Sequence, residues 1–443
     1  MLTQRFKGEY DLLALHQQHP HRYPFLLESV VTSPQARYSV LFAYPQQSLR
    51  INALTETNFC AQLDAAWHNT ALQQSITDTH DLPFRGGWFL YLGYELAGQL
   101  EPSLRLFPSN DGLPIALAVR IPAAIIIDHH QQETIALIED EYAALFADLL
   151  DSVKTCGAER SNLTAVEVRI SENSPEHFES GVERIREYIA AGDVFQVNLS
   201  RGWHGELQST HSAADLYAVL RQKNPAPFAC FANFDDFAII SSSPERLVRV
   251  QQGWVDTRPI AGTRPRGENE AHDQALLEEL IAHPKERAEH IMLIDLERND
   301  LGRICDYGTV TVDELMVVES YQHVHHIVSN VRGKLRQGIT PGAVIRAVFP
   351  GGTITGCPKV RCMEIIAELE QVPRGAYTGS VGYLNHNGDM DLNILIRTMT
   401  LSGNQLAFRT GAGIVIDSVA PNELRETRHK ARGLLRALAH DLG

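Results

Sequence analysis

Residues 116–138 read ALAVRIPAAIIIDHHQQETIALI. Two runs rich in Val, Ile and Leu follow one another, at 116–128 and 133–138, with only a polar turn between them. The pattern recurs along the chain. Further strand-like runs lie at 38–44, 87–92, 238–242, 310–317, 323–331, 379–384, 393–401 and 405–410, bounded by Gly, Pro or Asn. Helical periodicity is clear at 176–191, 213–223, 273–294, 341–348, 360–369 and 423–438. Strands that come in consecutive pairs do not suit a doubly wound sheet. The pattern predicts an α+β fold: two large packed mixed or antiparallel β-sheets with helices on the outside.

The chain has 443 residues, enough for two to three ordinary domains or one large two-lobed one. A polar stretch at 151–175 separates the halves, and most Gly-, Glu- and Arg-containing motifs lie after residue 190. An N-terminal supporting subdomain at 1–160 and a chemical domain at 175–438, sharing core, are expected. The formal charge of −15 at pH 7 argues against nucleic acid or an anionic membrane as the main partner. Six scattered cysteines without a CxxC pair read as reduced thiols. The opening MLTQRFKGEYDLL has no apolar signal region, and the longest apolar run, 121–127, is far short of the roughly 20 residues that span a bilayer. A cytoplasmic protein is expected.

Two Glu-x-x-Glu pairs fall on predicted helices, Glu286/Glu289 and Glu423/Glu426. Spacing i, i+3 puts both carboxylates of a pair on one face. Four such oxygen donors suit a hard cation such as Mg²⁺, although a solvated acidic face has the same spacing. Gly411-Ala412-Gly413 follows a strand-like run, where glycines either admit an anion to the backbone or make a tight bend. The run PGGTITGCPK at 350–359 precedes a helix and offers N–H groups and the Thr353 hydroxyl to an anion, or simply caps the helix. Arg397 is a cation in an otherwise apolar strand-like run and needs an anionic partner, internal or bound. Tyr377 is a hydroxyl donor for the same purpose, or an aromatic packing residue. Glu245, if buried, gains a raised pKa and can act as a general acid; an ion pair with Arg246 is the alternative. In HVHH, alternation divides His323 and His325 from His326, which disfavours zinc.

Taken together the segments GDVFQVNLS, SSSPERL, TRPIAGTRPRG, KERAEHIMLIDLERNDLGR, FPGGTITGCPKVRCMEII, YTGSVGYL, MDLNILIRT, GAGIV and ETRHKARGLLRAL resemble the chorismate-utilising enzymes. Within them they resemble the branch of aminodeoxychorismate synthase component I. The resemblance implies Mg²⁺ on Glu289 and Glu426, supported by Glu286 and Glu423, and Glu245 as the acid that protonates the departing C4 oxygen of chorismate. It also implies a ring-carboxylate cradle from Gly411, Ala412, Gly413 and Lys430, a clamp on the enolpyruvyl carboxylate from Tyr377 and Arg397, and His326 and Thr353 lining the ring. Relatives that add water carry lysine where this chain has Gln196, so an ammonia nucleophile is implied. The product is then 4-amino-4-deoxychorismate, for 4-aminobenzoate and folate, or anthranilate, for tryptophan. Ala261 stands where many aminodeoxychorismate enzymes carry a nucleophilic lysine. No glutamine-hydrolysing Gly-x-Cys-x-Gly turn is present, so ammonia is expected from a separate glutamine amidotransferase subunit, component II. Leu26-Leu27-Glu28-Ser29 resembles the tryptophan site of anthranilate enzymes and is expected here as a structural pocket more than a regulatory one. A non-catalytic module that binds an amino acid or an amidotransferase partner is the rival from another class.

Overall fold

The computed structural model describes residues 1–31, 36–71, 82–109, 112–156, 166–208, 210–320 and 324–439. Part of the polar stretch at 151–175, and His323 of HVHH, lie outside these residues.

Every strand pairing among the described residues is antiparallel. One sheet runs in the order Leu2–Lys7, Glu133–Ile138, Ala123–Asp128, Tyr38–Ala43, Phe25–Glu28, Phe228–Asn233, Phe237–Ser243, Thr398–Ser402, Gln405–Ile414, Gln196–Glu206, Gly356–Cys357. The other runs Ile260–Pro265, Val324–Lys334, Trp254–Thr257, Arg246–Gln251, Met390–Asn393, Ser380–Asn385, Gly87–Leu92, Ala116–Ile121, Ser48–Ile51. Both sheets therefore take strands from both halves of the chain.

Alternation along these strands gives each sheet two apolar faces. The inner faces meet, with Phe42, Ile126 and Ile239 of the first sheet in one core with Phe89, Val119 and Val381 of the second. The rings of Phe25 and Phe89 stack across this interior with centroids 4.1 Å apart. Helices cover the outer faces, as expected. Leu12–Gln18, Ala213–Lys223 and Ala420–Ala437 pack on the first sheet, and Phe59–Ala71, Pro284–Gly302 and Pro341–Val348 on the second. Their starts are written locally: Ser212 and Asp215 form a capping box, and Thr340 caps a helix opened by Pro341.

Three expected elements are each two. The run 116–128 breaks at Pro122, which lacks an N–H for a ladder, and its two strands belong to different sheets. The run 393–401 likewise splits into Met390–Asn393 in the second sheet and Thr398–Ser402 in the first. Arg397 is therefore not within a strand; it lies in the link between the sheets, with φ of 51°. The helix expected at 273–294 is interrupted at His283, held extended before Pro284, leaving Glu270–Ala282 and Pro284–Gly302. A further crossing, at 244–245, carries the chain from Phe237–Ser243 to Arg246–Gln251.

Because the Phe25–Phe89 stack joins the sheets directly, Phe89→Ala is expected to destabilise the fold by about 3–5 kcal/mol, read from the midpoint of urea unfolding.

Candidate active site at the sheet crossings

Two of these crossings bring the candidate residues together. Pro244 cannot continue the ladder, so Glu245 leaves the sheet edge and turns into the protein, where it is buried. The Thr353 hydroxyl, from the short turn Gly352–Ile354, donates to Glu245 Oε1 at 2.7 Å. Burial raises the Glu245 carboxyl to about 7, while Thr353, Arg397, the Ile260 N–H and Lys430 oppose the rise. It is a carboxylic acid poised at neutral pH.

Arg397, at the other crossing, makes no hydrogen bond or ion pair with its guanidinium among the described residues. Tyr377, Glu245 and Glu426 act on it electrostatically, and burial lowers its pKa. A half-buried guanidinium without an ion pair among the described residues is a ready seat for a ligand carboxylate. Tyr377 is buried, and its hydroxyl approaches Gly411: a Cβ there would stand 2.8 Å from it. Gly413 similarly makes room for Gln196, whose Nε2 would lie 2.7 Å from a Cβ. The stretch Gly411-Ala412-Gly413 is no tight bend; it runs in continuous register against Ser200, Leu199 and Asn198. Gln196 is buried and its Oε1 has no hydrogen-bond partner among the described residues. His326 is buried on the strand Val324–Lys334, with its pKa lowered to about 4 by burial and by Arg397, so the ring is neutral. His325 points elsewhere, to Ser320 at 2.7 Å and Asp273 at 3.0 Å.

The four glutamates lie on two helices. Glu286 and Glu289 lie on Pro284–Gly302, both half-buried; Glu423 is half-buried and Glu426 exposed on Ala420–Ala437. Glu286 packs on Gly262, pairs with Arg264 at 2.6 Å and keeps its Oε2 buried without a hydrogen bond. Glu426 pairs with Lys430 at 2.6 Å, and Lys430 also donates to the Gly411 carbonyl at 3.1 Å. Among the described residues no three His, Cys, Asp or Glu side chains converge tightly enough to enclose an ion. The donor chemistry, and the unsatisfied Glu286 oxygen in particular, nonetheless fits a hard divalent cation.

Residues 24–436 match the chorismate binding enzyme family. The chain belongs to that family. It is 41% identical to the anthranilate synthase component I-like protein of Synechocystis sp. over 91% of this chain and 83% of the relative. It is 43% identical to aminodeoxychorismate synthase component 1 of Bacillus subtilis over 84% and 81%. The crystal structure of anthranilate synthase component I from Streptococcus pneumoniae superposes with a TM-score of 0.79 at 33% identity, covering 91% of this chain and 93% of that one. The protein is thus a chorismate-utilising enzyme, with the two-sheet fold of its structural neighbours.

Sequence reasoning missed two groups in this cluster. Glu370 and Arg374 form a buried ion pair beneath it, and Glu297 is a second buried carboxyl near Glu245. Only position could have flagged them: one basic residue after a helix C-terminus, one acid within the polar run ERND. A cavity of about 400 Å³ lies apart from this cluster, lined in part by Leu27, Glu28, Ser29, Arg246 and Tyr383. No helix among the described residues is long and apolar enough to cross a membrane.

The Glu245 shift has a stability consequence. From 4.5 to about 7 the unfolded chain has released this proton while the folded one retains it, so stability falls as pH rises through that window. Glu245→Gln, which still accepts from Thr353, should flatten this dependence and unfold later than wild type at pH 8, by up to about 3 kcal/mol in denaturant titrations.

Proposed function

We propose that this enzyme makes 4-amino-4-deoxychorismate from chorismate and ammonia, with the ammonia delivered by a glutamine amidotransferase subunit. The observation that carries the reading is Glu245, a buried acid near neutrality beside Arg397, which has no ion pair among the described residues. Arg397 and Tyr377 would hold one carboxylate of the substrate, and Lys430 with the glycine strand the other. Glu245 gives its proton to the C4 oxygen as the C–O bond breaks, so water leaves. Ammonia forms the new C–N bond with its lone pair, and the surplus proton on nitrogen returns to the Glu245 carboxylate. Glu289 and Glu426, with Glu286 and Glu423 beside them, are the residues that would hold Mg²⁺, which when bound supplies positive charge at the ring carboxylate. Ala261 offers no nucleophile, so the reading has ammonia attack the ring directly rather than through an enzyme adduct.

The QVNLS, SPER and PGGTITG segments and the Bacillus subtilis relative support this product. Anthranilate is the second reading, favoured by PIAGT and GAGIV and by relatives named anthranilate synthase component 1, such as that of Pseudomonas aeruginosa at 40% identity. The cavity beside Leu27–Ser29 is read as structural: Glu28 is already held by Tyr217 at 2.8 Å and Arg221 at 2.9 Å.

Incubation with chorismate, ammonium and Mg²⁺ should consume chorismate and give a product of the mass of aminodeoxychorismate, which yields 4-aminobenzoate only after a lyase is added. A fluorescent anthranilate product without lyase would move the protein to the second reading, and no consumption would sink both. Glu245→Gln should lower kcat by about 10²–10⁴-fold. Glu289→Gln and Glu426→Gln should lose turnover while remaining folded by circular dichroism.

A further inference from the structure

The run Ser241-Ser242-Ser243 of SSSPER ends the strand Phe237–Ser243, two residues before Glu245, and all three serines are buried. Each reaches the same short piece of chain, the link 394–398 between the sheets that carries Arg397. The Ser243 hydroxyl donates to the Ile394 carbonyl at 2.5 Å. The Ser242 N–H donates to the Arg397 carbonyl at 3.1 Å. The Ser241 hydroxyl meets that of Thr398 at 2.8 Å, and Thr398 donates in turn to the Ile396 carbonyl at 3.1 Å.

Buried backbone carbonyls need donors, and between Met390–Asn393 and Thr398–Ser402 no ladder supplies them. The serine run supplies three of the four. Leu395 is held from the other side: its carbonyl accepts from the Thr378 N–H and its N–H donates to the Gly379 carbonyl, both at 2.8 Å, which ties in the residue after Tyr377. Every carbonyl from Ile394 to Arg397 thus has a donor. Arg397 needs this support, because its φ of 51° lies in the left-handed region, which a non-glycine residue keeps only where its surroundings fix it.

Glu245 is tied to the same link. Its N–H donates to Ser243 Oγ at 3.3 Å, and its carbonyl accepts from the Ile394 N–H at 3.0 Å. One hydroxyl, that of Ser243, therefore stands between the main chain of Glu245 and the main chain that leads to Arg397. The run is itself anchored, since Asn224, at the end of the helix Ala213–Lys223, donates to the Ser242 hydroxyl at 2.7 Å.

We propose that Ser243 and Ser241 are positioning residues that set Glu245 and Arg397 against each other: Ser243 holds the turn into Glu245, and Ser241, through Thr398, holds the strained backbone of Arg397. Serine suits the task because its short hydroxyl can donate and accept at once without leaving its strand. Ser242 serves the same link through its N–H, which no side-chain substitution removes. The proposal rests on the reading of Glu245 as the acid and of Arg397 as the seat of a substrate carboxylate.

The test is steady-state kinetics of the intact chain with chorismate, ammonium and Mg²⁺, beside calorimetric titration with chorismate alone. Ser243→Ala should lower kcat by about 10- to 100-fold, since the acid is misaimed, while KM for chorismate stays within about twofold. Ser241→Ala should raise KM and the chorismate Kd by about three- to tenfold while kcat stays within about twofold. Both variants lose one buried hydroxyl of the same kind. A purely structural role would lower their unfolding midpoints alike and divide nothing between kcat and KM; that result, or wild-type constants in both, overturns the proposal. Should Ser243→Ala fail to fold, Ser243→Cys keeps a similar volume and gives Ile394 a weaker donor. Its kcat should fall with KM unmoved, and a wild-type kcat overturns the proposal equally. A wild type that binds chorismate and turns none over removes the proposed reaction, and affinity then decides. A Kd weakened in Ser241→Ala alone upholds the positioning role, and a Kd unchanged in Ser241→Ala overturns it.

Discussion

Arg374 reaches Glu370 with two nitrogens, at 2.6 and 3.1 Å, and each side chain is 1% exposed. Withdrawing such charges from water costs several kcal/mol per ion, so the pair survives only because every remaining donor and acceptor is used. The guanidinium donates to the Asn198 carbonyl at 2.7 Å and the Ile354 carbonyl at 3.1 Å, and it lies 4.9 Å from the Tyr94 ring and 5.5 Å from that of Tyr377. Glu370 accepts from the Ser200 N–H and hydroxyl, both at 2.8 Å, and from Arg409 at 2.9 Å. One pair therefore ties together the strand that begins with Gln196, the turn that carries Thr353, the loop that carries Tyr377 and the strand of Gly411 and Gly413. The planar fork of arginine meets these acceptors at once, which a lysine ammonium could not.

That dependence explains what was legible beforehand. Consecutive apolar runs such as 87–92 and 133–138 coincide with strands, and 213–223 and 341–348 with helices, because propensity, caps and burial agree there. The runs that were misjudged, 116–128 and 393–401, are those in which the chain changes sheets while remaining apolar throughout. Composition carries no trace of such a crossing beyond Pro122, since both sheets bury their strands alike. Arg397 looked like a charge inside a strand for that reason. Glu297 and Glu370 were invisible because their partners, Gly352 and Arg409, come from distant segments that only the fold brings near.

An acidic chain that handles a dianion must concentrate positive charge where it counts and suppress negative charge beside it. Both occur around Glu245. Arg397 stands with its guanidinium unpaired among the described residues, and Lys430 reaches toward the glycine strand while held by Glu426. Glu245 meanwhile carries a proton up to about 7, so it adds no charge against the substrate in acidic or neutral solution. Burial thus does two things with one carboxyl: it makes an acid and it removes an anion.

The same geometry bears on the nucleophile. To attack at neutral pH, water must lose a proton to a base, and none of the groups around Glu245 serves well as one. Glu245 is the acid on the proposed reading, and His326, with its pKa lowered to about 4, is too weak a base to draw a proton from water. Gln196 has no basic nitrogen, and Lys359 is tied to Asp300. On the proposed reading ammonia would arrive with its lone pair available and need only a place to stand. On the same reading, the Gln196 Oε1, which has no hydrogen-bond partner among the described residues, would accept a hydrogen bond from ammonia without competing for its proton, which favours amination over hydration.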